Sequence, residues 1–341
     1  MRLSVPGVRI VDVETCDFGL MPSYDTVTLL QLACPDSWQR YLDSPVARRL
    51  IAELGVERRY LTHVPGQVPD PARRTAIDLA RSAVERLRAR RAQELARLDA
   101  LIFVSTSNPN PVNCQAAILA EQLGFTASCF DLKAGCSSGV LGVAQAALLI
   151  DAGCERVLVV AAENLSQVMP ADDLRALLSV GDGAACVLVE KCAGPGFLGV
   201  LHGTDPAFGT AMAVRTPFPP ARADAHYVYE FSDTQATREF LHDRWRTLFH
   251  ESMAAAGIRA SEVAHLCFHQ THRAQVDALV SDLGVDPARV PRVVHDHGNM
   301  GSPTFAVAMA HVFPTIAPGQ TYLLEAVGGG VSWCAIVAEH R

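Results

Sequence analysis

Three side chains with complementary chemistry, a thiol, an imidazole and a carboxamide, stand at junctions between extended segments and helices. Cys136 lies between a short extended run and an apolar helix, flanked by Gly135 and Gly139. Unpaired backbone N–H groups and the positive end of the helix dipole at such a junction both favour the thiolate. The position therefore predicts a nucleophile at Cys136, although most cysteines in folded chains are simply small core residues.

A thiolate nucleophile needs a base and an orienting group, and both have candidates in the second half of the chain. His269 directly follows a predicted strand, at the carboxyl end where the functional groups of α/β sheets gather. Asn299 lies in a glycine-flanked loop, at nearly the place that Cys136 holds in the first half. Either residue alone is more often structural. Their joint placement with the cysteine favours a Cys-His-Asn site.

Two other chemistries remain open for the same stretches. Residues 135–139 match the G-x-S-x-G pattern of serine hydrolases, which would make Ser137 the nucleophile. The spacings His269-x-x-His272 and His295-x-His297 could suggest a metal site, but no Cys or Glu stands beside them at ligand spacing. We therefore expect no metal, and we favour the adjacent thiol over the Ser137 hydroxyl.

Continuous apolar runs mark the segments that would position these residues. Such runs imply a sheet covered on both faces and hence α/β layering. Strands are predicted at residues 100–105, 130–132, 156–162, 184–190, 265–268, 293–294, 321–327 and 331–338. Helices are predicted at residues 112–122, 140–150, 236–256 and 274–283, with Ser302 as N-cap and Pro303 as first residue of another that ends near 313.

The order of these elements repeats within the chain. Leu101 lies 35 positions before Cys136, and Leu266 lies 35 positions before Gly301. Each half then gives a helix, a strand, a glycine turn and a last strand. The repeat predicts two halves built from parallel strands, residues 1–190 and 191–341, whose pseudo-twofold axis brings Cys136 and Asn299 face to face. Coincidence between two ordinary α/β units remains the alternative.

One segment does not follow this repeat. Residues 204–235 are rich in aromatic residues, histidine and charge, contain a proline cluster at 217–220, and lack periodicity. Long loops inside a compact domain are usually functional. We therefore predict a substrate-covering insertion.

Composition excludes several classes of protein. The chain has 341 residues, of which 49% are apolar, and a net charge of −7, which disfavours nucleic-acid binding. The arginine-rich residues 81–97 are predicted to be the solvated face of an amphipathic helix. No apolar run is long enough for a membrane span, and none near the N-terminus resembles a signal peptide. Ten cysteines without regular spacing favour a reducing, cytoplasmic compartment.

Four motifs together resemble one family. They are Ala134-Gly135-Cys136-Ser137-Ser138-Gly139, His269-Gln270, Gly298-Asn299 and Gly328-Gly329-Gly330-Val331-Ser332-Trp333. In order and spacing the chain resembles the β-ketoacyl-acyl-carrier-protein synthase III family of the thiolase superfamily over nearly its whole length. The resemblance implies an α/β thiolase fold, five-layer α-β-α-β-α, with two pseudo-repeated halves.

The resemblance also implies roles for residues. Cys136 would take an acyl group, as a thioester, from the phosphopantetheine of acyl-CoA or acyl carrier protein. His269 and Asn299 would hydrogen-bond the carbonyl of a malonyl-type or β-ketoacyl donor during decarboxylative Claisen condensation. The backbone N–H groups of Cys136 and Gly329 would form the oxyanion hole, and Arg175 would contact CoA.

Further expectations concern assembly and pathway. Family members are homodimers, and the resemblance suggests that strand 156–162 pairs across the interface. No permanently bound cofactor is implied. His272 stands where the family usually has asparagine, which fits a secondary-metabolism branch.

Two alternatives stay open: transfer of the acyl group to a hydroxyl or amine with His269 as base, and a catalytically silent subunit of a heterodimeric synthase.

Overall fold

Strands and helices alternate along the chain in the computed structural model, which describes residues 1–3, 5–68, 70–108, 112–214, 229–231 and 235–341. The strands are β1 (Arg2–Leu3), β2 (Val8–Thr15), β3 (Ser23–Tyr24), β4 (Arg59–Tyr60), β5 (Ala100–Val104), β6 (Ser128–Leu132), β7 (Arg156–Glu163), β8 (Gly183–Lys191), β9 (Phe197–Thr204), β10 (Met212–Val214), β11 (Tyr229–Phe231), β12 (Val263–Phe268), β13 (Thr321–Gly328) and β14 (Ser332–Glu339). The helices are α1 (Thr26–Ala33), α2 (Trp38–Asp43), α3 (Pro45–Leu54), α4 (Ala76–Leu95), α5 (Gln115–Leu123), α6 (Ser138–Asp151), α7 (Leu174–Ser179), α8 (Gln235–Ala256), α9 (Arg273–Leu283), α10 (Val294–His297) and α11 (Thr304–Val312).

Two five-stranded sheets form the framework, with strand orders β2-β8-β7-β5-β6 and β1-β9-β14-β13-β12. The prediction of parallel strands is only partly right, because both sheets are mixed. β5 runs parallel to β6 and β7, and β12 runs parallel to β13. β8 and β14 are antiparallel to their neighbours. A continuous apolar run indicates burial on both faces but does not encode strand direction.

Helices cover both sheets and fill the space between them. α6 and α11 pack between the two sheets, where their apolar side chains join those of β5, β7 and β13. α4 and α5 cover the outer face of the first sheet. α8 and α9 cover the outer face of the second. This arrangement confirms the five-layer thiolase fold. No helix in the described ranges has both the length and the apolar character needed to cross a membrane.

Four strands of one sheet correspond to four of the other, and one strand of each sheet is unmatched. β2, β5, β7 and β8 have β9, β12, β13 and β14 as counterparts, whereas β6 and β1 have none. Residues 293–294 were predicted to be extended, and this prediction is wrong. Val293 has helical angles (φ −104°, ψ −18°) and precedes α10. The side-chain oxygen of Gln270 accepts hydrogen bonds from Val293 N (3.0 Å) and Val294 N (3.1 Å), so these donors need no neighbouring strand.

Two predicted helix starts shift because side chains elsewhere satisfy the backbone. α5 begins at Gln115, not residue 112, because the Asp131 carboxylate accepts its N–H at 2.9 Å and that of Ala116 at 2.9 Å. α11 begins at Thr304 with Pro303 as its N-cap residue. Ser302 was predicted to cap this helix, but its hydroxyl donates to Glu163 at 2.6 Å instead.

The arginine-rich segment forms the solvated face of α4, as predicted. Ala80, Val84 and Leu87 are buried on its inner face. On the other face, the side chains of Arg90 and Arg91 each donate to Asp12 at 2.9 Å. These charges are therefore paired within the chain and do not form a basic surface.

Strand β7 is an interior strand, which overturns the expected pairing of residues 156–162 across a dimer interface. β7 is hydrogen-bonded to β5 on one side and to β8 on the other, so its backbone has no free edge. The outermost strand on that side of the sheet is β6.

Parts of the insertion can be described. β10 and β11 form a short antiparallel hairpin, and α8 follows from residue 235, one position earlier than predicted. The proline cluster at 217–220 lies outside the described residues.

A buried carboxyl group in the second sheet lacks the partners that such groups normally have. Glu325 on β13 is fully buried, and neither carboxyl oxygen has a hydrogen-bond partner among the described residues. Leu323 and Val327, on the same face of the strand, belong to the apolar outer core. Burial raises the pKa of Glu325 well above its usual range, with Arg244 opposing this effect and Glu251 adding to it. The side chain is therefore held protonated.

We expect the substitution Glu325→Gln to stabilise the protein at pH 8 and not at pH 4. The folded chain keeps the Glu325 proton, whereas the unfolded chain loses it above about pH 4.3. The wild-type protein therefore loses stability as the pH rises, and the amide variant does not. In urea unfolding across this pH range, the advantage of the variant should grow by up to about 1.4 kcal/mol per pH unit while the folded wild type keeps the proton. Glu121→Gln, on an exposed position, is the matched control. Parallel stability curves for wild type and Glu325→Gln would contradict the prediction.

Candidate active site

The loop that carries the predicted nucleophile is fixed by hydroxyl groups to the start of β14. Ser137 Oγ lies 3.0 Å from the Ala134 carbonyl oxygen and 2.7 Å from Ser332 Oγ. The Ser332 hydroxyl donates to the same carbonyl at 2.6 Å. Ser137 is thus buried and engaged in a structural network. The arrangement does not favour it as a hydrolase nucleophile.

Two glycine turns meet at Cys136 so closely that neither has room for a side chain. A Cβ atom on Gly328 would lie 2.7 Å from the Cys136 nitrogen and 2.8 Å from its Cβ. A Cβ on Gly135, which has φ +61°, would lie 2.2 Å from the Gly329 carbonyl oxygen. The backbone N–H groups of Gly329 and Cys136 both interact favourably with the thiolate form of the sulfur. The two predicted oxyanion-hole donors therefore lie beside the same atom.

The surroundings of the Cys136 sulfur favour the neutral thiol, contrary to the prediction from the helix N-terminus. The residue is partly exposed, but its sulfur is enclosed by protein atoms. Burial raises the pKa of Cys136 to about 12, and the charge of Glu163 adds to the shift. α6 begins at Ser138, so the cysteine precedes its first turn. A helix N-terminus contributes only about 0.3–1 kcal/mol, whereas one pKa unit corresponds to about 1.4 kcal/mol, so burial dominates.

His269 is buried at the end of β12, and no described residue is hydrogen-bonded to its imidazole. Its backbone N–H donates to the Glu325 carbonyl at 2.8 Å, which fixes the residue at the end of β12. Neither ring nitrogen has a partner among the described residues. Burial lowers the pKa of His269 to about 4, with the backbone of Gly301 opposing the shift. The ring is therefore neutral near pH 7, with two polar atoms available to a ligand.

Asn299 is held by its backbone and oriented by its own side chain. Its N–H donates to the Ser179 carbonyl at 2.7 Å, and its carbonyl accepts from Gly181 at 3.0 Å. Its Oδ1 atom accepts the N–H of Gly301 at 2.9 Å. Nδ2 makes no hydrogen bond in the described part of the chain. The amide group therefore keeps one donor, Nδ2, without a partner among the described residues.

Contacts around Gly301 bring the segments of the three predicted residues together. The backbone of Gly301 interacts with the His269 ring and is hydrogen-bonded to Asn299. A Cβ on Gly139, in the first turn after Cys136, would lie 2.2 Å from the Ser302 carbonyl. The start of α6 therefore packs directly on the loop that carries Asn299.

Arg175 lies on an exposed rim next to this site. It is in the first turn of α7, the helix whose end binds Asn299. Its guanidinium donates to Glu53 at 3.0 Å, and Glu53 also lies 4.0 Å from His272 Nε2. Burial lowers the pKa of His272, and the charge of Arg175 adds to this effect. Arg175 is therefore engaged in a surface ion pair.

Three residues of the site were not predicted from the sequence. Glu163, at the end of β7, lies close enough to Cys136 to affect its pKa. Tyr229 of β11 donates its hydroxyl proton to the Thr106 carbonyl, and Met212 of β10 packs against Gly329. The described flanks of the insertion therefore contact two loops of the site, at Thr106 and Gly329. The signal for Glu163 was available: a charged residue ends an otherwise apolar strand.

The histidines considered as metal ligands are used in other ways. His295 Nδ1 lies 2.9 Å from the Gly55 carbonyl oxygen, and the His297 ring packs on Phe18 and Tyr60. The described residues contain no group of three or more His, Cys, Asp or Glu side chains that could hold a metal ion.

The fold and the two glycine turns that meet at Cys136 define a thiolase-fold protein. Comparisons with known proteins agree. A family model of 3-oxoacyl-[acyl-carrier-protein] synthase III matches residues 130–206, and that of its C-terminal domain matches residues 253–340. The 3-oxoacyl-(acyl-carrier-protein) synthase structure from Burkholderia xenovorans superposes with a TM-score of 0.86 at 21% identity, covering 100% of this chain and 96% of that one.

Two curated relatives establish the family. A β-ketoacyl-[acyl-carrier-protein] synthase III from Streptomyces coelicolor is 30% identical over 271 residues, 76% of this chain and 81% of the relative. One from Chelativorans is 31% identical over 271 residues, 74% of this chain and 80% of the relative. The chain belongs to the β-ketoacyl-[acyl-carrier-protein] synthase III family, a group of acyltransferases that condense acyl thioesters.

Proposed function

We propose that this protein catalyses a decarboxylative Claisen condensation in two steps. Cys136 first takes an acyl group from the phosphopantetheine thioester of acyl-CoA or an acyl carrier protein. A malonyl-type thioester then loses CO₂ and its carbon attacks the acyl-cysteine. The first step releases the donor as a free thiol, which receives the Cys136 proton. The second step releases CO₂ and a β-ketoacyl thioester, and the departing Cys136 thiolate takes a proton from solvent.

The availability of two neutral hydrogen-bonding groups, on segments that meet around Gly301 and pack against the start of α6, carries this proposal. The His269 ring nitrogens and Asn299 Nδ2 have no partner among the described residues, and His269 is neutral above about pH 5 because burial lowers its pKa to about 4. A donor thioester carbonyl placed between them would accept a hydrogen bond from each. When CO₂ leaves, the electron pair of the broken C–C bond moves onto that oxygen, and the two donors stabilise the resulting enolate.

The first step depends on removing the Cys136 proton. Because the pKa of the thiol is about 12, little thiolate exists before substrate binds. Proton transfer must therefore accompany attack on the donor carbonyl, with the neutral His269 ring as the nearby acceptor. The N–H groups of Cys136 and Gly329 would hold the oxyanion that forms on the acyl carbonyl.

Acyl transfer to a hydroxyl or amine is less well supported. That reaction would need His269 as the base that activates the acceptor. It would also leave the Asn299 Nδ2 donor without a role, whereas an enolate oxygen would accept hydrogen bonds from both His269 and Asn299.

We propose in addition that the protein acts as a cytoplasmic homodimer. The unpaired edge of β6, rather than the interior strand β7, is available for pairing with a second copy. The ten free cysteines are compatible with a reducing compartment.

Substitution of Cys136 by Ala should abolish formation of an acyl adduct, because no other thiol lies beside the two oxyanion donors. Intact-mass measurement after incubation with acyl-CoA donors checks this, with Cys154→Ala as the control for a partly exposed cysteine elsewhere. In the same mixtures the wild-type protein should release CO₂ from a malonyl thioester. Adduct without CO₂ release would favour transfer to a hydroxyl or amine, and absence of any adduct would favour a silent subunit.

Two substitutions at Asn299 separate a hydrogen-bonding role from a structural one. Asn299→Asp retains the oxygen that accepts from Gly301 but replaces the free donor with a carboxylate oxygen. We expect it to reduce condensation by about 10²–10³, at least as much as Asn299→Ala, because a lost oxyanion donor has this effect. Acylation of Cys136, followed by mass, should change by less than about three-fold. Near-normal condensation by Asn299→Asp would contradict the donor role.

Changes at Arg175 and Glu53 should affect CoA donors in opposite directions. Arg175→Ala should raise the KM for an acyl-CoA by about five-fold, and Glu53→Gln should lower it, because Glu53 neutralises Arg175 in the free protein. The KM for an acyl-carrier-protein donor, which lacks the CoA nucleotide, should hardly change. Equal effects on both donors, or none on either, would remove Arg175 from CoA binding.

A further inference from the structure

A buried carboxylate connects the two halves of the molecule beneath the nucleophile. Glu163 is fully buried, and every polar group in contact with it is a hydrogen-bond donor. The donors are Ser105 Oγ (3.2 Å), Thr106 N (2.9 Å) and Oγ1 (3.1 Å), Ser107 N (2.9 Å) and Oγ (2.5 Å), and Ser302 Oγ (2.6 Å). No Lys, Arg or His in the described ranges forms an ion pair with it.

This set of partners can fully satisfy an ionised Glu163. The two backbone N–H groups can only donate, and each of the four hydroxyl groups can donate to a carboxylate oxygen. A buried charge without a counter-ion is costly unless it is fully hydrogen-bonded, as here. An uncharged side chain could fill the same space with less cost, so packing alone does not explain the charge.

The position of Glu163 joins two parts of the site. Through Thr106 and Ser107 it fixes the loop after β5, which also accepts the hydrogen bond from Tyr229. Through Ser302 it holds the loop that carries Asn299. A Cβ on Gly301 would lie 3.4 Å from the Glu163 Cγ atom, so carboxylate and loop are in direct contact.

We propose that Glu163 is a positioning residue with two effects: it anchors the Asn299 loop through Ser302, and its charge adds to the burial that keeps the Cys136 thiol protonated in the empty site. The first effect rests on the proposed condensation, and the second does not. Neither effect requires Glu163 to touch substrate. A protonated thiol would resist alkylation and oxidation while the site is empty.

Few other ionisable groups face this space among the described residues. They are the Tyr229 hydroxyl from β11 and the His269 ring after β12, and the adjoining first turns of α6 and α11 contribute none. Burial raises the pKa of Tyr229 and lowers that of His269 to about 4. Both groups stay neutral between pH 6.5 and pH 10. The pH dependence of Cys136 reactivity in that range therefore reports on the Cys136 thiol itself.

The electrostatic effect can be tested without any acyl substrate. We would measure the rate of iodoacetamide modification of Cys136 from pH 6.5 to pH 10 by peptide mass. In Glu163→Gln the rate at pH 8 should rise about ten-fold, because a neighbouring charge typically shifts a pKa by one unit or more. Glu163→Asp keeps the charge and should retain the wild-type profile. An unchanged profile in Glu163→Gln would overturn this half of the proposal, and so would a shifted profile in Glu163→Asp.

The anchoring effect is tested by Ser302→Ala, which leaves the charge in place. Its alkylation profile should match wild type and its Cys136 acylation should be normal, while condensation kcat falls at least ten-fold. Normal condensation would overturn the anchoring role. If Glu163→Gln does not fold, the other two variants still test the proposal. A shifted alkylation profile in Glu163→Asp would overturn the electrostatic effect. Normal condensation in Ser302→Ala would overturn the anchoring effect. Absence of condensation in the wild-type protein would instead refute the proposed reaction, and alkylation would still report on Glu163.

Discussion

The close contact between two glycine turns is the constraint on which the rest of the site depends. Gly135 and Gly328 each lie where a single added carbon would overlap the opposing backbone, at 2.2 Å from the Gly329 oxygen and 2.7 Å from the Cys136 nitrogen. The contact joins the loop after β6 to the turn between β13 and β14, and so joins the two sheets. It also leaves the N–H groups of Cys136 and Gly329 beside the sulfur. The packing of the two sheets and the placement of the oxyanion donors therefore both depend on Gly135 and Gly328 having no side chain.

Around that contact the groups that would meet substrate are neutral. Burial keeps Cys136 protonated and His269 unprotonated near pH 7, and Asn299 has no charge. A site of fixed, neutral donors stabilises charge that develops on the substrate without binding a resident ion of its own. The ionised group that does approach this space, Glu163, is surrounded by donors on its own side. Its charge therefore acts on the thiol at a distance and is unavailable as a base.

Much of this arrangement could be predicted from the sequence, and the errors have a common physical origin. Apolar runs located both sheets, and the 35-residue spacing located the repeat. Both could be predicted because apolar patterns and residue spacing are read directly from the sequence. The errors arose where distant side chains decide local structure. Gln270 satisfies the backbone at Val293 and Val294, and Ser302 bonds to Glu163 instead of capping α11. The thiol state was misjudged for the same reason, because enclosure of the sulfur depends on elements far away in the chain.

Departures from the internal symmetry coincide with the functional groups. Glu163 is the last residue of β7, and Gly328 is the last residue of its counterpart β13. One position thus supplies a charge that holds two loops, while the other supplies an empty space into which the Cys136 backbone fits. Likewise, β6 leads into the nucleophile loop, whereas the second half has α10 in place of such a strand and presents Asn299 from the following loop. The duplicated framework places two similar sets of loops at one centre. A catalytic site can form there because the two sets carry different functional groups.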